Sequence, residues 1–464
     1  MASSYDFVVI GGGSAGYAAA RTATQLGLRT AVVEGGEELG GLCILRGCMP
    51  SKTLLESASR FRTLRRAREF GLRAEKIGIE AKEIILRKRR LVGEFADYRV
   101  EQLESGPFDL IRGWAGFLDP HSIEVRKPDG SSLQITSKAF LIATGSRPTR
   151  LSVPGLEQIG YLGSDEVLES STIPKSVIVL GGGATALEFA SYYDGLGSEV
   201  TLIQRSSQVL KEFDTDIAET VVAAFQQHGI RVFLKTKLLR ARRIDGMKEL
   251  TFEHEGETRT VQAEEIVYAL GREPQLAGLN LEKAGQGRGL FRANNYQQTI
   301  VPHIFAAGDA VGPYEIVHIA IQQGELAARN AARLIQGAKE PLEMIDHRLR
   351  LLGIFSEPEV ASVGKTEKEL LEEGVAFETA SYPFADHGKS MVMGETDGFV
   401  KLIVDKTTRE ILGGAVVGPH AADLIHEIVV AMHFHATARD LAMIPHYHPT
   451  LSEIWTYPAE MLML

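Results

Sequence analysis

Cys43 and Cys48 are the only cysteines in 464 residues, and they stand five positions apart in the segment GGLCILRGCMPSKTLLES. Two cysteines cannot staple a chain of this length, so a pair this close in a reducing compartment points to redox chemistry or to a metal. Zinc would want further cysteine or histidine ligands at short spacing, and none lies near in sequence. Pro50 and Lys52 follow closely, which predicts both sulfurs just before and within the start of a helix. A helix N-terminus stabilises a thiolate, and Arg46 and Lys52 add positive charge, so at least one sulfur is expected to be a nucleophile near neutral pH.

A redox pair needs a source or sink of electrons, and two glycine-rich turns offer sites for one. Residues 5–34 read strand (YDFVVI), turn (GGGSAG), helix (AGYAAARTATQLG) and strand (TAVVE); residues 176–204 repeat the order as SVIVL, GGGATA, LEFASYYDGLG and EVTLIQ. In the first turn Gly11 permits a tight bend, Gly13 lets backbone approach a pyrophosphate, and Gly16 lets the helix pack close to its strand. The phosphates would sit on the helix N-terminus, and Glu34 at the end of the next strand can accept from both ribose hydroxyls. The second unit keeps Gly181 and Gly183, but Ala186 replaces the third glycine and the strand ends in Gln204-Arg205 with no acid. A carboxylate there would repel a 2′-phosphate, whereas Arg205 with Lys211 can hold one, so NADPH is expected ahead of NADH.

Around these turns apolar runs alternate with helical patterns, which predicts an α/β chain with two Rossmann-like dinucleotide-binding domains. Hydrophobic residues make up 44% and charged residues 24%, with 47 glycines, enough apolar surface for about three domains at this length. The expected limits are 1–153 for the first dinucleotide domain, 154–273 for the second, 274–345 for a return to the first, and 346–464 for an α+β module. Fifty basic against sixty acidic residues give a net charge of -10 without a long basic run, which argues against nucleic acid as a partner. The basic cluster from Arg60 to Arg68 is read as a solvated helical face. No apolar span reaches membrane length and the N-terminus shows no signal pattern, so no membrane contact and a cytoplasmic location are expected.

Seven segments in order, GGGSAG, GGLCILRGCMPSK, ATGSRP, GGGATALE, ALGREP, FAAGDA and HYHPTLSE, make the chain resemble the flavoprotein disulfide reductases, class I pyridine nucleotide-disulfide oxidoreductases such as dihydrolipoamide dehydrogenase, glutathione reductase and mercuric reductase. The resemblance implies FAD in the first unit, NAD(P)H in the second, and a homodimer formed through the C-terminal module. It makes Cys48 the sulfur beside the flavin and Cys43 the one that exchanges with a small disulfide or dithiol. It puts Lys52 near the flavin, paired with Glu188, and Asp309 on the ribitol. His448, held by Glu453, becomes the acid/base supplied by the other subunit. Further cofactor contacts are implied at Ser14, Ala15, Gly41, Ala115, Thr144, Gly145, Gly271, Arg272 and Gly308. Six histidines from position 420 onward include two close pairs, His433 with His435 and His446 with His448, but none has a spacing that converges on one ion, so no metal is expected.

Leu42 and Leu45 stand where relatives carry a small hydroxyl residue and Asn, making the redox surroundings more apolar. The chain ends in YPAEMLML without the cysteine pair of mercuric reductases, and it keeps the first cysteine that soluble transhydrogenases lack. PSKTLL and HYHPTLSE favour dihydrolipoamide dehydrogenase; Arg205 favours an NADPH-linked reductase of another small disulfide. A flavin-only NAD(P)H oxidoreductase or transhydrogenase, and a component docking onto a 2-oxo acid dehydrogenase complex, are the other readings.

Overall fold

Strands whose both faces are apolar must be covered on both sides, and this determines how the first half of the chain folds. In the computed structural model, which describes residues 3–464 apart from Arg288, the chain divides into two compact units. The first comprises the chain up to Pro50, Arg87–Thr149 and Arg272–Asp346; the second comprises Ser51–Leu86, Arg150–Gly271 and His347–Leu464.

In the first unit Ser3–Ile10 pairs in parallel with Thr30–Glu34 on one side and Ser132–Ile142 on the other, and Ile304–Ala306 runs parallel to Ser132–Ile142. Asp109–Arg112 extends one edge; Ser122–Arg126 and Trp114–Asp119 add antiparallel strands, completing a seven-stranded sheet. Phe7, Val8, Val9 and Val32 are wholly buried. The helix Ser14–Gln25 buries a face made of Ala15, Gly16, Ala18, Ala19, Ala20 and Ala23. Small residues there let Val317–Gln336 come close: a Cβ at Gly324 would lie 2.1 Å from the Ala15 carbonyl oxygen.

The second unit holds a parallel sheet of Arg231–Phe233, Glu199–Ile203, Ser176–Leu180 and Glu265–Tyr268. Beside it in sequence come an antiparallel meander, Thr236–Ile244, Met247–His254 and Glu257–Ala263, and a five-stranded antiparallel sheet against which Ala421–His433 packs through Ile425, Ile428 and Met432. Lys401, on strand Phe399–Asp405, is almost fully buried, with Nζ 2.9 Å from Asp214 and Asp216 and 2.8 Å from Glu367. Burial disfavours its charge, but the three carboxylates outweigh that and raise its pKa. In Lys401→Met those carboxylates would lose their counter-ion, at a cost of about 3 kcal/mol in denaturant unfolding, because Asp216 and Glu367 stay partly solvated.

Three local features bear on the sequence reading, the second of them as a correction. Cys43 lies in the single turn Leu42–Leu45, just before a helix, and Cys48 opens that helix, Cys48–Arg65. Gly47 makes the break, since a Cβ there would meet the Leu42 carbonyl oxygen at 2.9 Å and Cys43 Cα at 3.1 Å. Arg62 is not a solvated side chain; its guanidinium is bonded to Asp194 and Glu357, although Arg60 does remain on the surface with Glu56. Finally, Arg272–Pro274, at the expected end of the second dinucleotide domain, is a short strand paired with Ser146–Pro148. Among the described residues no helix is long and apolar enough to cross a membrane.

Candidate active site and nucleotide cradles

The first glycine turn is shaped by contacts that exclude side chains. Gly11 has φ +105°, and a Cβ there would lie 2.3 Å from the Ala143 carbonyl oxygen; at Gly16 it would lie 1.8 Å from that of Gly11. Gly13 precedes the helix, which starts at Ser14 and Ala15 with no side-chain cap, leaving its first amides available to an anionic group. Gly41 closes against the turn, its Cβ position 2.7 Å from Gly13 Cα. Glu34 accepts from Gly12 N at 2.7 Å and from Gly36 N at 2.6 Å, which holds the carboxylate at the strand end.

Further along the same unit, Thr144 Oγ1 is buried without a hydrogen-bond partner, next to Gly145 at φ +70°. Ala115 is buried on its strand. Asp309 accepts from Ser146 Oγ at 2.6 Å, and Arg272 donates to both Ser146 Oγ and its carbonyl at 2.8 Å. Gly308 N donates to Gln323 at 2.7 Å. A cradle of bare backbone, a fixed carboxylate and an orphaned hydroxyl suits a dinucleotide with phosphate and hydroxyl groups, so these residues fit FAD. Cys43 and Cys48 belong to this unit and are half-buried. Arg99 lies 4.2 Å over the Tyr17 ring, its pKa lowered by burial and raised in smaller measure by the Tyr17 and Cys43 charges.

In the second unit Gly181 has φ +125°, with its Cβ position 2.2 Å from the Ala269 carbonyl oxygen, whereas nothing approaches Gly183 within 4 Å. Ala186 is wholly buried, so this turn accommodates the methyl group that Gly16 could not. The Gln204 side chain lies against Gly182 and accepts from Arg205 N at 3.0 Å, putting a neutral amide at the strand end; Arg205 and Lys211 are exposed. Gly271 has φ +104°. These residues fit a nicotinamide dinucleotide by the same donor chemistry.

Two polar pairs complete the picture within this unit. Lys52 Nζ meets Glu188 at 2.8 and 2.9 Å; Glu188 also accepts from Phe355 N at 3.1 Å, and the ammonium lies 4.8 Å from the centre of the Phe355 ring. His448 Nδ1 meets Glu453 at 3.0 and 3.2 Å, with His448 78% exposed and Glu453 10% exposed. A carboxylate only accepts, so Nδ1 carries the proton and Nε2 is left to take or give one. His446 is bonded to Glu427 at 2.5 Å and His435, beyond the helix end at φ +55°, to Glu410 at 2.6 Å. Among the described residues no three His, Cys, Asp or Glu side chains are grouped to hold a metal ion.

Sequence reasoning missed Ser146, Gln323 and Phe355. Ser146 lies inside the ATGSRP segment, so that motif could have singled it out; Gln323 and Phe355 carry no signal in spacing or type.

Residues 5–324 match the family model of pyridine nucleotide-disulphide oxidoreductases, and residues 352–459 match the dimerisation domain of the same group. A dihydrolipoyl dehydrogenase of Bacillus subtilis is 36% identical, covering 98% of this chain and 97% of that protein. Among solved structures, LpdA from Mycobacterium tuberculosis superposes with a TM-score of 0.87 at 29% identity, covering 99% of this chain and 100% of that one. The HOCl-induced flavoprotein disulfide reductase RclA from Escherichia coli, in a Cu(II) complex, gives 0.84 at 26% identity with the same coverage.

Proposed function

The chain belongs to the pyridine nucleotide-disulphide oxidoreductase family, and from that premise we propose that Cys43, Cys48 and His448 of the partner subunit exchange electrons and protons with a small dithiol or disulfide. The enzyme is an FAD-dependent disulfide oxidoreductase of the dihydrolipoyl dehydrogenase kind, with α/β nucleotide-binding domains and a dimerisation domain that supports a homodimer. Bound FAD supplies two-electron exchange between the nicotinamide and the cysteine pair.

The chain's own residues do the rest. When a dithiol is oxidised, its first thiolate attacks Cys43 Sγ of the Cys43–Cys48 disulfide and Cys48 leaves as a thiolate. The second substrate thiolate then closes the substrate disulfide and releases Cys43. His448 of the partner subunit accepts the thiol protons through Nε2 while Glu453 stabilises the imidazolium. Reduction of a disulfide runs the same steps backward. Lys52, fixed by Glu188, keeps a positive charge near the flavin, and Gly11, Gly13, Ser14, Glu34, Thr144 and Asp309 bind it. The domain limits proposed are 1–153, 154–273, 274–345 and 346–464, in a cytoplasmic enzyme able to join a 2-oxo acid dehydrogenase complex.

The observation that carries this reading is that Cys43 and Cys48, the latter the first residue of its helix, lie in the same unit as the dinucleotide cradle. Anaerobic titration of the yellow protein tests it. A long-wavelength absorption band at two-electron reduction supports the dithiol centre; simple bleaching of the flavin contradicts it and favours a flavin-only oxidoreductase.

NADPH is the proposed nucleotide, supported by the neutral Gln204 and exposed Arg205 at the strand end. The same feature favours a second reading, reduction of a non-lipoyl disulfide, which a steady-state comparison with lipoamide would separate. Arg205→Ala is expected to raise KM for NADPH about 10- to 100-fold, the worth of one charge-assisted phosphate contact, and to leave NADH within about threefold. Equal effects on both nucleotides would refute the assignment.

A further inference from the structure

His387 is a wholly buried histidine that the steps above do not use. It follows the turn Phe384–Asp386 and directly precedes the short helix Gly388–Met393. Its Nδ1 lies 2.9 Å from Ser390 Oγ, itself wholly buried, and its Nε2 faces Glu453 Oε1 at 3.4 Å with no closer partner. Glu453 is the carboxylate that holds His448. We propose that His387 is a positioning residue for the acid/base pair, holding Glu453 through Oε1 as the inner member of a Ser390–His387–Glu453–His448 chain.

The tautomer follows from the neighbours. Burial pushes the His387 ring below the usual imidazole range, which the Glu453 charge only partly offsets, and His448 pushes in the same direction as burial. The ring is therefore neutral, with one donor and one acceptor. Glu453 can only accept, so the proton sits on Nε2; Nδ1 then accepts from the Ser390 hydroxyl, which fixes that arrangement. The titratable groups facing the ring are Glu453 and His448, while Tyr457 meets it edge-on with centroids 6.3 Å apart and Asp386 beside it is exposed.

Glu453 thus faces two imidazoles, hydrogen-bonded to His448 and approached by the His387 Nε2 at 3.4 Å. The buried one fixes the rotamer from which the exposed one is oriented, since among the described residues the hydrogen bonds of His448 go to Glu453 alone. A second donor also takes up part of the carboxylate's charge, so less of it is directed at the His448 N–H. Without His387 the whole of that charge bears on the His448 N–H, which favours the imidazolium.

This inference rests on the proposed acid/base role of His448, and the experiment separates the two. In the holoenzyme, His387→Leu is expected to slow turnover of reduced lipoamide about tenfold at neutral pH, the effect of one hydrogen bond to a charged group. It should also displace the histidine limb of the kcat/KM profile to higher pH, while flavin reduction by NADPH or NADH stays at the parent rate. His387→Gln, whose amide reaches the position of Nε2, should restore both rate and limb. An unmoved limb in His387→Leu, or a limb in His387→Gln displaced as far as in His387→Leu, overturns the proposal, because lost packing alone lowers stability without shifting a titration. Should His387→Leu fail to fold, Ser390→Ala decides: a smaller shift in the same direction supports the chain, and a superimposable profile overturns it. If His448→Gln turns over like the parent, the acid/base reading itself has failed; if it is inactive and the His387 variants are silent, only the present inference has.

Discussion

Cys48→Ser is expected to keep its flavin and to lose dithiol–disulfide turnover by on the order of 10⁴-fold or more, as when a covalent nucleophile is removed from a catalytic group. The serine hydroxyl is nearly isosteric and can sit at the first turn of Cys48–Arg65, so the helix should form normally. The dinucleotide cradle depends on Gly11, Gly16, Glu34 and Asp309, none of which the substitution touches. What is lost is the ability to make and break a sulfur–sulfur bond. The visible spectrum of the variant and its rate of flavin reduction by NADPH or NADH check the first half; stopped-flow with reduced lipoamide checks the second. Retention of most of the turnover would make the cysteines spectators.

The second large effect concerns the proton. His448→Gln should lower kcat by about 10²- to 10⁴-fold, the usual contribution of a positioned general acid/base. Glutamine preserves the hydrogen bond to Glu453 but cannot cycle between charged and neutral forms. Because His448 is 78% exposed, the change should leave stability within about 0.5 kcal/mol. Thermal unfolding and steady-state assay on the same preparation separate chemistry from folding. Co-expression of His448→Gln with Cys48→Ser offers a stricter check. If the histidine is supplied by the partner subunit, each mixed dimer carries one intact site and activity returns; if it acts within its own chain, both sites remain broken.

Much of this arrangement is legible in the sequence because short-range constraints leave residue-level marks. The tight approach at Gly11 and Gly16 admits no side chain, so glycine must appear there; the carboxylate of Glu34 must end a strand to reach the turn. The repeated strand, turn and helix order gave away both nucleotide cradles for the same reason. The separate turn that carries Cys43 leaves little mark, because Gly47 acts by making room for Cys43, a contact within a loop that neither helix propensity nor periodicity encodes. Arg62 was misread because its partners, Asp194 and Glu357, lie far away in sequence, and a helical arginine looks the same whether it meets water or acids. His387 is the extreme case: a lone histidine between a turn and a short helix has no pattern, and its meaning comes from Glu453, 66 positions later.

The carboxylate cage around Lys401 has a practical consequence for chemical labelling. Amine-reactive reagents need an accessible, unprotonated amine, and Lys401 is shielded on both counts, with 2% of its side chain exposed and its proton retained by three acids. Lys138 on the other unit, 65% exposed and paired with Asp6 at 2.8 Å, is expected to acylate far sooner. Modification of Lys401 therefore has to wait for its unit to open. In a mass-spectrometric time course the two lysines form a matched clock, the first recording reagent dose and the second recording how often the C-terminal sheet lets go.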